Sequence, residues 1–174
     1  MAPRGLALLT ALALGAGVSA ATAATVDIEV LGRDGKALAE AVVFLESAVA
    51  RAASRPVPGI EIEQADKRFT QRVTVVTVGS AISFPNRDKV RHHVYSFSPT
   101  RFDLKLYIGT PANPVVFDKV GIAALGCNIH DTMLAWVVVV ETPHHGLTGA
   151  GGRVRLPDVA PGTCLLYTSD AADE

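Results

Sequence analysis

The segment Gly126-Cys-Asn-Ile-His-Asp-Thr-Met133 puts a thiol, an imidazole and a thioether into one short loop, with two residues separating Cys127 from His130 and His130 from Met133. These are soft or borderline donors, and as a set they suit copper. Two imidazoles and a thiolate in a plane, with a weak axial thioether, make a copper site that passes electrons. One imidazole is then still to be found. Upstream, Ile82-Ser-Phe-Pro-Asn-Arg-Asp-Lys-Val-Arg-His-His-Val94 places His92 and His93 side by side at the start of a strand. Adjacent strand residues face opposite sides, so only one of the two can face a given metal.

Other chemistries fit these residues less well. Structural zinc favours Cys and His alone, and Met is a poor ligand for it. Covalent haem needs Cys-x-x-Cys-His, which is absent. Cys127 and His130 could form a nucleophile and its base, but no oxyanion signature or orienting residue accompanies them. Taken singly, Cys127 reads as a small buried hydrophobe, Met133 as core filler, and His130 says nothing. Their conjunction, beside Gly126 and before the apolar run Leu134 to Val140, carries the signal.

The elements that must position these residues are strands. Apolar residues recur with period two and are separated by Gly, Pro, Asn and Asp clusters. Val26, Ile28 and Val30 alternate with acidic residues, Gly32-Arg-Asp-Gly35 turns the chain, and Ala41 to Leu45 runs back, which predicts an opening hairpin. Residues 48–59 read as loop, with a short strand from Ile60 to Ile62. Val73 to Val78, Ile82 to Phe84, Val90 to Phe97, Leu104 to Ile108, Val115 to Phe117, Ile122 to Leu125 and Leu134 to Val140 complete the set. The expected fold is an all-β Greek-key β-sandwich. Residues 146–163 read as a Gly-rich linker and the start of a further β segment. With the opening hairpin over 25–47, that segment resembles the two halves of a carboxypeptidase-regulatory-like β module with the central domain inserted.

The residues of the two motifs resemble those of the cupredoxins, of the amicyanin and plastocyanin type, and most closely the cupredoxin-like group labelled methylamine utilisation proteins. The resemblance covers residues 69–140, within a domain taken as 25–145. Asn86, Asp88 and His92 match its Asn-x-(Asp/Glu)-x-x-x-His pattern, and Cys127, His130 and Met133 match its Cys-x-x-His-x-x-Met loop. The resemblance implies one copper ion held by His92, Cys127, His130 and Met133. If His93 were the ligand, the register would slip by one. Where amicyanin-like chains read Pro-His-Asn, this one reads Arg91-His92-His93. The Asn there helps tie the two ligand loops together, so whether His93 takes over its hydrogen bond is a question for the structure.

For function, the family likeness implies single-electron transfer without bound substrate, hence no enzyme, between redox partners of the dehydrogenase or cytochrome type. A copper-binding or copper-delivery protein without redox exchange is the alternative, and an interaction module with a vestigial site a third reading. The same likeness implies that electrons leave by the edge of His130, with Ile129 and Leu134 as apolar neighbours. The backbone amides of Gly126 and Asn128 are placed to influence the sulfur. Arg87, Lys89, Arg91, Lys67, Arg68 and Arg72 read as a solvated face or as a docking face for an acidic partner. His144 and His145 read as exposed loop residues outside the site.

Both ends differ in character from this domain. Arg4, the apolar run Leu6 to Val18 and the small residues up to Ala24 read as a signal peptide over residues 1–24, cleaved after Ala23 or Ala24. A membrane anchor would need about 20 apolar residues. The expectation is a periplasmic, monomeric protein with no membrane insertion after cleavage. Residues 164–174 resemble the translation of a transposase adapter used in preparing sequencing libraries. On that reading they are an artefact that packs against nothing, and the natural gene encodes at least one more strand after Thr163. The other reading is a disordered acidic tail. Without both ends the chain has 15 basic and 14 acidic residues, a balance that suggests neither nucleic acid nor an anionic membrane as partner. Cys164 falls in the tail, which leaves Cys127 a lone thiol in an oxidising compartment, and such a thiol needs burial or a metal to explain it.

Overall fold

The computed structural model describes residues 22–169. The expected signal sequence therefore lies, up to residue 21, outside the described residues. The chain opens with β1 (Ala24–Glu29), β2 (Val42–Glu46), the short helix α1 (Ala48–Ala53), β3 (Ile60–Glu61), β4 (Gln64–Ala65) and β5 (Arg68–Phe69). The main strands are β6 (Val73–Thr77), β7 (Ser80–Ser83), β8 (His92–Ser96), β9 (Phe102–Tyr107), β10 (Val115–Phe117), β11 (Gly121–Cys127) and β12 (Leu134–Val140). β13 (His145–Leu147), β14 (Arg153–Val159) and β15 (Leu165–Ser169) close the chain.

The fold is the all-β sandwich expected from the strand periodicity. A five-stranded sheet of order β6-β12-β11-β8-β9 faces a three-stranded sheet of order β10-β7-β3. In the larger sheet β6 and β12 pair in parallel and the other neighbours are antiparallel. Between the sheets lies a core built from Ile62, Val76, Ile82, Phe84, Val94, Phe117, Leu125 and Val137, all buried, and Cys127 and Met133 belong to it. The ligand loop therefore grows out of the core rather than off a flexible edge.

The run Leu134-Ala-Trp-Val-Val-Val-Val140 is apolar without alternation because both its faces are covered. Val137 and Val139 point into the sandwich core, while Trp136, Val138 and Val140 pack with Val42 and Val73 in a second cluster. Continuous apolar runs mark strands buried on two sides. Each such side chain withdraws about 1.5–3 kcal/mol worth of apolar surface from water. What covers the second face is an end module made from both ends of the described chain. β1 pairs with β14, and β13-β2-β15 form a three-stranded sheet, with Val43, Leu45 and Leu156 buried between them.

Four expectations do not hold. The opening strands do not form a hairpin, because β1 bonds to β14 and β2 to β13 and β15, leaving one bridge, Leu31 to Ala37, between the stretches that flank the turn. Residues 48–53 are helical rather than loop, started by the Ser47 hydroxyl, which accepts from the Ala50 amide at 3.0 Å. His145 lies in β13 and is half-buried, and burial with the neighbouring His144 lowers its pKa. Residues 165–169 do not pack against nothing. They form β15 along β2, with Tyr167 stacked on Phe44 at 5.0 Å, since an open edge of β2 accepts any extended segment of suitable alternation. Cys127 and Cys164 are both free thiols.

Candidate metal centre

Three elements deliver the donors. Cys127 is the last residue of β11, His92 the first of β8, and the turn between β11 and β12 carries His130 and Met133. The two strands are antiparallel neighbours with Gly126 opposite Tyr95 and Cys127 opposite Val94, so the thiol comes up beside the start of β8. Gly126 lets this arrangement close without moving Tyr95. A Cβ there would stand 2.8 Å from the Tyr95 ring, which lies across the strand immediately before the cysteine. The turn is tightened by the Met133 amide, which donates to the His130 carbonyl at 2.9 Å.

Among the described residues, His92, Cys127 and His130 bring one ligand atom each to within 4.8 Å of one another. His92 Nδ1 lies 3.1 Å from His130 Nδ1 and 3.9 Å from Cys127 Sγ. His92 is fully buried, Cys127 and Met133 nearly so, and His130 is partly open to solvent. Two imidazole nitrogens and a sulfur so close together, two of the three residues buried, can direct lone pairs at one shared point. A cation at that point accepts all three. The donor set therefore fits a soft or borderline metal ion of the copper class.

The structure also settles which histidine faces inward. His92 points to Cys127 and His130, and His93 points to the opposite side, as strand alternation requires. His93 Nδ1 accepts from the Asn128 side-chain amide at 2.8 Å, and its Nε2 is bonded to Asp103. It thus ties β8 to the ligand turn, the task that the sequence left open for this position. The Asn128 side chain thereby joins the two segments.

Behind the donors is a polar network. His92 Nε2–H donates to Asp88 Oδ2 at 2.8 Å, which fixes the tautomer and leaves the Nδ1 lone pair facing Cys127. Burial works to raise the Asp88 carboxyl, but the hydrogen bonds from His92 and from the amides of Lys67 and Asp66 outweigh it and hold the carboxyl below its usual value. Asn86 donates to the carbonyls of Val90 and Tyr107 and accepts from the Asp88 amide. The Tyr107 hydroxyl donates to the Phe84 carbonyl at 2.7 Å and accepts from Gln64, and burial pushes its pKa up to about 12. Gln64 and Tyr107 carried no sequence signal, because neither belongs to a motif and their meeting depends on sheet packing.

No protein-family model matches the chain, and no curated protein matches it. Among solved structures the chain is similar to a reduced Cu(I) amicyanin variant, at 19% identity over 56% of this chain and 98% of that one, with a TM-score of 0.43. A copper-containing nitrite reductase from Thermus scotoductus SA-01 matches at 21% identity over 50% of this chain and 23% of its own, with a TM-score of 0.44. A purple cupredoxin from Nitrosopumilus maritimus matches at 18% identity over 46% of this chain and 96% of its own, with a TM-score of 0.40. These three solved structures are an amicyanin, a nitrite reductase that contains copper and a purple cupredoxin.

Proposed function

We propose that the protein is a periplasmic carrier of single electrons with one copper ion held by His92, Cys127, His130 and Met133. The observation that carries this reading is the convergence of His92, Cys127 and His130 from two antiparallel strands and one tight turn, inside the core of a rigid sandwich. A bound copper ion supplies the one-electron couple between Cu(I) and Cu(II). The chain's own residues do the rest. His92, Cys127 and His130 are held by the sheets in one arrangement, so little reorganisation accompanies a change of charge. Met133, buried beneath the turn, offers a weak fourth donor. Burial of Cys127 and His92 keeps water from them.

His130 is the donor open to solvent, and Ile129 and Leu134 beside it are about half exposed, at 48% and 50%. An apolar rim around an imidazole edge supports contact with a redox partner there, of the dehydrogenase or cytochrome type. Among the described residues no helix is long and apolar enough to cross a membrane. The monomeric state belongs to the same proposal.

The test is a visible and electron-spin-resonance spectrum of the Cu(II)-loaded protein. Strong thiolate-to-copper absorption and reversible reduction are expected. Tight copper binding without that absorption would favour the delivery reading, and no binding would overturn both.

A further inference from the structure

The ribbon of β4 and β5 turns through Asp66 and Lys67, and both have positive φ, 53° and 57°. Two left-handed residues in succession form the tight hairpin turn that ordinarily selects Asn-Gly. Neither residue here is glycine, so the turn is held against local preference, and such strain persists where surrounding contacts over-determine it. Those contacts lead to the metal centre. The Asp66 amide donates to Asp88 Oδ1 at 2.8 Å and the Lys67 amide to Asp88 Oδ2 at 2.9 Å. The ribbon's base is fixed to the same segment, since the Gln64 amide donates to the Pro85 carbonyl and the Arg87 amide to the Gln64 carbonyl, each at 2.8 Å.

Resting on the copper reading above, we infer that the Asp66–Lys67 turn is a positioning device for His92, gripping Asp88 so that its carboxylate stays aimed at His92 Nε2–H. In this turn the left-handed pair aims two consecutive amides at one carboxylate, and those bonds offset the strain of keeping it. A carboxylate on the far nitrogen makes the imidazole a more basic ligand and favours the higher oxidation state. Releasing Asp88 to solvent removes that bias, so the reduction potential rises.

The first experiment needs no metal. In amide hydrogen exchange of the metal-free protein, the Asp66 and Lys67 amides are expected to be protected although they lie at an exposed turn, and to lose that protection in D88A. The second is a double-mutant cycle on the copper-loaded protein with K67P, which deletes the Lys67 amide and, because proline cannot hold a positive φ, also undoes the left-handed pair. D88A is expected to shift the Cu(II)/Cu(I) equilibrium about tenfold, which is about 59 mV for one electron. K67P is expected to shift it in the same direction by a smaller factor, with no further effect in the D88A background. If K67P does not fold, one glycine inserted between Asp66 and Lys67 displaces the same amide. Unprotected amides in the unaltered protein overturn the inference, as does an unchanged potential in K67P, or an equal K67P shift with and without Asp88. A failure of the copper reading shows separately, because the unaltered protein then lacks the thiolate-to-copper absorption while the exchange result still stands.

Discussion

The end module and the metal end of the sandwich put carboxylates to opposite purpose. On β1 and β14, Asp27 meets Arg155 at 2.7 Å and Glu29 meets Arg153 at 3.4 Å, cross-strand and exposed to water. At the other site, Asp88 meets His92 at 2.8 Å, and the imidazole is fully buried. Water competes for the first pairs and leaves them little net worth. Around His92 no water competes, so the bond fixes a tautomer and an orientation. Burial, not the number of ion pairs, decides whether a charge organises anything.

That contrast can be broken from either side, and the largest effect is expected from Cys127→Ser. Serine offers no soft thiolate, so the absorption and tight copper binding are lost while the end module is untouched. Retained colour would refute the ligand assignment. Next comes the pair of neighbours on β8. His92→Ala should abolish the blue site, whereas His93→Ala should shift the spectrum and leave the protein blue, because His93 only ties β8 to Asn128 and Asp103. The reverse result would mean that the wrong histidine faces the metal.

A smaller effect, on stability alone, is expected in the end module. Gly152 has φ +69°, and a Cβ there would lie 2.6 Å from the Val30 carbonyl oxygen. Gly152→Ala should therefore destabilise by about 2 kcal/mol, read by urea denaturation, with an unchanged spectrum. A changed spectrum would show that the two regions are coupled. The smallest effect belongs to Arg155→Ala, which should leave the melting temperature within error of the parent protein. A clear drop would show that the exposed ladder holds β1 to β14 after all.

The sandwich was legible because its strands announce themselves locally, by alternation or, in β12, by an apolar run of strand length. The cluster of His92, Cys127 and His130 was legible because Cys127 and His130 share one loop and because face alternation sets His92 and His93 on opposite sides. The individual pairing partners were not legible, although residues 25–47 and 146–163 read together as halves of one module. Nothing in residues 26–45 says that β1 prefers a strand beginning at Arg153 over the one next to it, since the choice is made by Val43, Leu45 and Leu156 packing together. The helix over Ala48–Ala53 had its signals, an alanine-rich stretch behind Ser47, but six residues are too few to show a period. The turn at Asp66 and Lys67 was missed for the opposite reason. Its sequence lacks the glycine that marks such turns, and the carboxylate that holds its amides, Asp88, lies 22 and 21 positions away.

The pairing of β1 with β14 also dictates an order of events during synthesis. Asp27 and Arg155 are 128 positions apart, and a chain made from its N-terminus exposes β1 and β2 long before their partners exist. β6 to β12 can pair among themselves in the meantime, and long-range pairings close last. Until β14 arrives, Val43 and Leu45 stay uncovered beside open strand edges, which makes this interval the one most exposed to misassembly.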